Sequence, residues 1–109
     1  MKKIFITGGC GYVGSLMTES LLENYIIKNV DTQWFGNSLK QHDNLTNIKE
    51  DIRNLNGDFI DKNTFAVIHL ANIANDPCVE LDQALSWEVN VLAAKNLIEK
   101  SVKAGVKKF

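Results

Sequence analysis

The run Thr7-Gly8-Gly9-Cys10-Gly11-Tyr12-Val13-Gly14 carries the strongest chemical signal in this sequence. It reads as G-x-G-x-x-G through Gly9, Gly11 and Gly14, and as T-G-x-x-G-x-x-G through Thr7, Gly8, Gly11 and Gly14. Glycines at this spacing let the chain turn sharply after a strand, let a pyrophosphate approach the backbone, and let a helix pack closely on the strand. The N–H groups and positive dipole end of a helix starting there would hold phosphate oxygens. Asp31 lies 20 residues past Gly11, where a carboxylate can bind the ribose hydroxyls of a dinucleotide, and Thr32 beside it joins the candidate contacts. A carboxylate at that position repels a 2′-phosphate and no Arg follows closely, so the pattern favours NAD over NADP. Asp51 could accept from an adenine amino group, with Ile52 against the ring. The rival phosphate loop, G-x-x-x-x-G-K-[ST], fits Gly9 to Gly14 but meets Ser15 where its lysine belongs.

Other groups that could do chemistry have plainer readings. His69 ends an apolar run and reads as a hydrogen-bonded core residue; His42 lies in a polar loop. The carboxylate pairs Asp58/Asp61 and Glu80/Asp82 fall in polar segments and read as solvated surface. Trp34 and Phe35 could flank an adenosine or cover a sheet edge, and Trp87 reads as helix packing. Cys10 and Cys78 offer neither C-x-x-C nor metal-ligand spacing, so no metal site is expected, and they read as reduced thiols of a cytoplasmic protein. Cys10 could be a thiol acidified at a helix start, but reads first as a small residue facing the core.

These groups need elements to hold them. Ile4-Phe5-Ile6 reads as a buried strand that ends at the glycines. A helix is expected over about 11–24, with Val13, Leu16, Met17 and Leu21 on one face. A second strand covers 25–30 and ends at Asp31. Residues 32–46 read as a loop, 47–50 as a weak strand ending at Asp51, and 52–63 as at most a short helix with a turn at Asn56-Gly57. Phe65–Leu70 is a near-continuous apolar run, typical of a parallel strand buried on both faces. A long helix is expected over 82–104, with Leu85, Val89, Leu92, Ala93, Leu97, Ile98 and Val102 at helical spacing and Gly105 just past its end. Alternation of this kind predicts an α/β fold: a Rossmann-type doubly wound parallel sheet of about four strands, order 3-2-1-4, in one domain over 1–109.

Composition sets the outer limits. The chain has 109 residues, 45% of them apolar and 23% charged, with a net charge of -1. That is one soluble globular domain with one core. The balanced charge argues against a sequence-independent nucleic-acid binder. No apolar stretch approaches the ~20 residues of a membrane helix, and the apolar run at the N-terminus is too short for a signal peptide. Asn44-Leu45-Thr46 matches a glycosylation sequon by chance.

The sequence resembles the N-terminal part of the extended short-chain dehydrogenase/reductase family, the NAD-dependent epimerase/dehydratases of nucleotide sugars. The likeness rests on Thr7 to Gly14, Val30-Asp31, Asp51-Ile52, His69-Leu70-Ala71-Asn72 and Glu88-Val89-Asn90-Val91. By that resemblance the N–H groups of Tyr12 and Val13 would hold the pyrophosphate, Asp31 the ribose and Asp51-Ile52 the adenine. Leu70, Ala71 and Asn72 would line the cofactor, with Asn90 near it. Asn72 replaces a residue that is usually small. The family's chemistry uses Y-x-x-x-K plus a Ser or Thr; here Tyr12 is followed at that spacing by Leu16 and Tyr25 by Asn29. The resemblance therefore implies an NAD-binding half of an enzyme, without its catalytic segment or substrate domain, whose parent moves a hydride at a sugar hydroxyl carbon of a nucleotide sugar. A fourth strand left as an apolar edge would invite self-association. The alternative is a non-catalytic Rossmann module that binds or senses a dinucleotide.

Overall fold

In the computed structural model, residues 1–33, 36, 39–55, 59–71 and 88–109 are described. The elements run β1 (Lys3–Thr7), α1 (Tyr12–Leu21), β2 (Ile26–Asp31) and β3 (Leu45–Lys49). A 3-10 turn (Ile52–Asn54), β4 (Thr64–His69), a π-helical turn (Glu88–Ala93) and α2 (Ala94–Ala104) follow. The four strands form one parallel sheet in the order β3-β2-β1-β4, as the alternation of elements predicts. All strands therefore end on one side, where Thr7, Asp31 and His69 close their strands and the glycine run begins.

Alternation along the strands splits the core into two layers. Ile4, Ile6, Ile27 and Ala66 pack with Leu22 on the α1 face. Phe5, Val30 and Val67 pack with Ile52, Leu55, Ile60, Ala93 and Leu97 on the α2 face. Leu97 is 3% exposed, so Leu97→Ala would cost about 2–5 kcal/mol.

The helix faces differ from those expected. On α1 the inward stripe is Gly14, Thr18 and Leu22, while Val13 and Leu16 are 57% and 60% exposed. At Gly14 the helix lies against the Gly8 and Gly9 backbone, which leaves no room for a side chain; of the expected face, Met17 and Leu21 are half-buried, Leu21 against the core, while Val13 and Leu16 turn outward. On α2 the inward positions are Ala93, Leu97 and Ser101; Leu92, Ile98 and Val102 face outward. The buried Ser101 hydroxyl is satisfied by donating to the Leu97 carbonyl at 2.7 Å. The π-helical turn carries an extra residue, so an even 3.6-residue count does not run unbroken through 88–93. Leu85 and the side chain of Val89, also placed on that face, lie outside the described residues, as do 82–87 of the expected helix.

Helix α2 ends as predicted. Gly105 adopts φ +80°, its N–H donates to Val102 O, and the Val106 N–H donates to Ser101 O, both at 3.1 Å. The chain then returns to the sheet: Lys108 bridges Ala66 in parallel, and the Val67 N–H donates to Lys108 O at 2.9 Å. The expected bare edge of β4 is thus partly covered by residues 107–108. Strand bounds shift by a residue or two, and β3 begins at Leu45, inside the expected loop. Among the described residues, no helix is long and apolar enough to cross a membrane.

Candidate functional site: the glycine loop and its carboxylate

The loop between β1 and α1 is fixed by its own backbone. The Gly8 N–H donates to Val30 O at 2.9 Å, and the Gly11 N–H to Gly8 O at 3.1 Å. Gly8 takes φ +76°, and a Cβ there would stand 2.6 Å from the Ala71 nitrogen. A Cβ on Gly14 would run into the Gly8 carbonyl, with Gly9 Cα at 2.8 Å. Both positions exclude side chains because backbone, which cannot step aside, occupies the space. Gly11 is looser, its nearest neighbour being Gly8 O at 3.3 Å.

Asp31 is tied into this loop. Its Oδ2 accepts the Cys10 N–H at 2.9 Å and its Oδ1 the Gln33 N–H at 2.7 Å. A carboxylate has about four lone-pair positions, so two stay open for hydroxyl donors. Thr32, half-buried, sits between Asp31 and Gln33. Gln33 holds a left-handed φ of +61°, supported by that same bond to Asp31. The end of β3 joins through the Glu50 N–H, which donates to Asp31 O at 3.0 Å.

The end of β4 closes on the other side. The Leu70 N–H donates to Thr7 O at 2.9 Å and the Ala71 N–H to Thr7 Oγ1 at 3.2 Å. Thr7 Oγ1 also lies 2.6 Å from His69 Nδ1. Burial lowers the His69 pKa, which favours a neutral ring that accepts the Thr7 proton at Nδ1. His69 is thus the hydrogen-bonded residue that its apolar surroundings predict.

Asp51 is placed differently. Its carboxylate caps the 3-10 turn, with Oδ1 accepting the Arg53 N–H at 2.9 Å. Oδ2 accepts Arg53 Nε at 2.9 Å and Nη2 at 2.6 Å. The Arg53 hydrogen bonds hold the Asp51 pKa below its ordinary value, against the opposing effect of burial. Ile52 is 6% exposed and belongs to the core layer beneath α2, so its side chain packs inward. The 3-10 turn lies against the π-helical turn, which carries half-buried Asn90.

The structure therefore gathers Gly8, Gly11, Tyr12, Val13, Gly14, Asp31, Thr32, Leu70 and Ala71 at the ends of β1, β2 and β4. Asp51, Ile52 and Asn90 stand on the neighbouring turns. Asn72, Trp34 and Phe35 lie outside the described residues. Among the described residues no cluster of three or more His, Cys, Asp and Glu could hold a metal. The Cys10 thiol is half-buried and burial pushes its pKa up, as for a small residue turned inward. Sequence reasoning missed Asn29, Asn47 and Arg53. The available signals were a polar residue inside an apolar strand and a cation two residues after a strand-end acid.

A parallel α/β sheet with a glycine loop at β1–α1 and an acid ending β2 defines a Rossmann-type fold. The profile of the NAD dependent epimerase/dehydratase family matches residues 4–109, and the chain belongs to that family. Among solved structures, the UDP-N-acetylglucosamine 4-epimerase of Methanobrevibacter ruminantium M1 superposes with a TM-score of 0.89 at 28% identity. That match covers 97% of this chain and 36% of the epimerase. The Bordetella bronchiseptica enzyme WbmH, in complex with NAD+, gives 0.85 at 32% identity, covering 97% of this chain and 36% of its own. The human dTDP-D-glucose 4,6-dehydratase is 29% identical over 121 residues, 99% of this chain and 34% of that enzyme. The chain thus spans about a third of the length of the relatives it matches.

Proposed function

We infer that this chain is the NAD-binding part of an NAD-dependent nucleotide-sugar epimerase or dehydratase. The observation that carries the reading is the Asp31 carboxylate bonded to the Cys10 N–H, which sets a ribose acceptor directly beside a loop made for phosphate. The residues present fit the cofactor. The N–H groups of Tyr12, Val13 and Gly14 have no hydrogen-bond acceptor among the described residues, as an anion site at a helix start requires. The open lone pairs of Asp31 would take the adenosine ribose hydroxyls, with Thr32 beside them, and its charge would disfavour a 2′-phosphate. Gly8, Gly11 and Gly14 would let the pyrophosphate come close. Leu70 and Ala71, with Asn72 after them, would line the cofactor beyond β4, and Asn90 would approach it from the π-helical turn. Asp51 would accept from the adenine amino group through the free side of Oδ1, with Ile52 behind it.

When bound, NAD supplies the hydride acceptor and donor for reaction at a sugar hydroxyl carbon. This chain's own share is to bind and orient the adenosine diphosphate half. Proton transfer and recognition of the sugar nucleotide would fall to a further catalytic segment and substrate domain, in a protein of the cytoplasm. Titration calorimetry with NAD, NADP and ATP tests this. The expected result is saturable binding of NAD, about tenfold weaker binding of NADP, and ATP bound no more tightly than NAD, because Ser15 stands where a lysine-type loop would hold the outer phosphates. Absence of NAD binding under conditions where the chain is folded would sink the reading.

A further inference from the structure

Ile27, Asn29 and Asp31 share the α1 face of β2, and Asn29 stands at its centre with no exposed surface. An apolar residue such as Ile27 would satisfy the sheet there, and a buried amide is costly unless its polar atoms are partnered. Those of Asn29 are. Its Oδ1 accepts the Gly9 N–H at 2.8 Å. Its Nδ2 donates to Oδ1 of Asn47, its register neighbour on β3, at 2.9 Å, and lies 3.6 Å from Cys10 Sγ. The side chain also fills the space that a Cβ on Gly9 would need.

The loop amides can then be followed one by one. Gly8 donates to Val30 O, Gly9 to Asn29, Cys10 to Asp31 and Gly11 to Gly8 O; Ser15 donates to Gly11 O as the helix begins. Tyr12, Val13 and Gly14 remain. We propose that Asn29 is a positioning residue of the glycine loop: by holding the Gly9 amide, it fixes the turn that leaves the Tyr12, Val13 and Gly14 amides pointing together at a pyrophosphate. The need for this amide comes from the loop above the strand. Its Asn47 partner anchors it from the next strand, so the loop is braced by β2 and β3 as well as by β1. The loop-setting role stands on the hydrogen bonds; its consequence for a ligand rests on the cofactor reading above.

The test uses the whole chain and the variants Asn29→Leu, Asn29→Ala and Asn29→Asp. Amide hydrogen exchange of Gly9, read by NMR on the ligand-free chain, should quicken at least tenfold in the Leu and Ala variants, with the β1 amides unchanged. Asn29→Asp keeps an oxygen for Gly9 and should restore most of the protection. Affinity for ADP-ribose should fall about tenfold in the Leu and Ala variants, whereas weak adenosine binding, which needs no pyrophosphate, should hold. Gly9 exchange unchanged in both, or equal losses for ADP-ribose and adenosine, would overturn the proposal. Asn29→Ala adds no bulk and decides the matter if Asn29→Leu does not fold. A parent chain that binds neither ligand would remove the cofactor reading, and Gly9 exchange would still decide the role of Asn29.

Discussion

Two acids stand at the ends of neighbouring strands, and their surroundings give them different capacities. Asp31, at the end of β2, accepts only backbone N–H groups among the described residues, one on each oxygen. Asp51, just past β3, faces the Arg53 guanidinium, which takes up Oδ2 with two bonds while the Arg53 N–H engages Oδ1. Both acids follow a strand, and position alone makes each a ligand candidate. What separates them is what the chain itself donates. Asp31 is oriented by amides and keeps lone pairs that no donor among the described residues fills. Asp51 is neutralised and serves first as the cap of its turn. A strand-end carboxylate in a parallel sheet is therefore better judged by the cation within two residues of it than by its place in the topology.

The comparison breaks most completely if the loop that uses Asp31 is forced open. Gly14→Ala sets a methyl against the Gly8 carbonyl and the Gly9 backbone. The expected cost is about 2–3 kcal/mol in chemical denaturation, together with loss of detectable NAD binding. An unchanged denaturation midpoint would show that the loop has room that the backbone positions deny. Asp31→Asn comes next. It keeps the shape but loses the charge and swaps one acceptor oxygen for a donor, so NAD affinity should fall about tenfold or more and the preference for NAD over NADP should shrink. Calorimetry with both nucleotides reads both effects. Asp51→Asn should change NAD affinity by no more than about threefold, because only one side of Oδ1 is open. Equal losses in the two Asn variants would erase the distinction.

Much of this was legible in the residues because local rules and global fold agree there. The glycine spacing, the apolar runs of β1 and β4 and the acid ending β2 each point to the same parallel sheet, and Gly105 marks the end of α2 by its left-handed backbone. The helix faces were legible only in part: Leu21, Ala93 and Leu97 pack inward as expected. Val13 and Leu16 fit an inward stripe by period, but both are exposed, and Gly14 and Thr18 are buried in their place, Gly14 because the Gly8 backbone leaves no room for a side chain. On α2 the π-helical turn breaks the count. Asn29 and Arg53 escaped for another reason: each acts on a group distant in space or already explained, the Gly9 amide in one case and an acid read as a ligand in the other. Periodicity carries no trace of such partnerships. The polar interruption in Tyr25–Val30 and the cation two residues after Asp51 were the visible signs.

The smallest effect concerns the Arg53–Asp51 pair itself. Its side chains are 34% and 15% exposed, so the pair is worth about 0.2–1 kcal/mol at neutral pH. The sign of its pH dependence follows from the Arg53 hydrogen bonds, which hold the folded pKa of Asp51 below its ordinary carboxylate value. A carboxylate with a lowered folded pKa binds fewer protons folded than unfolded. Its contribution is therefore complete above the unfolded pKa, near ~3.9, and is lost as the pH falls through the folded value. Arg53→Gln removes the guanidinium and leaves the backbone cap. Denaturation of parent and variant should differ by a few tenths of a kcal/mol or more at pH 7, and the two curves should converge as the pH falls through the lowered folded pKa of Asp51. The same variant frees Oδ2, making Asp51 resemble Asp31, so adenosine binding should hold or tighten. A difference in stability that persists unchanged into acid would mean that Arg53 acts through packing of its stem, and Asp51 would then have been open to a ligand all along.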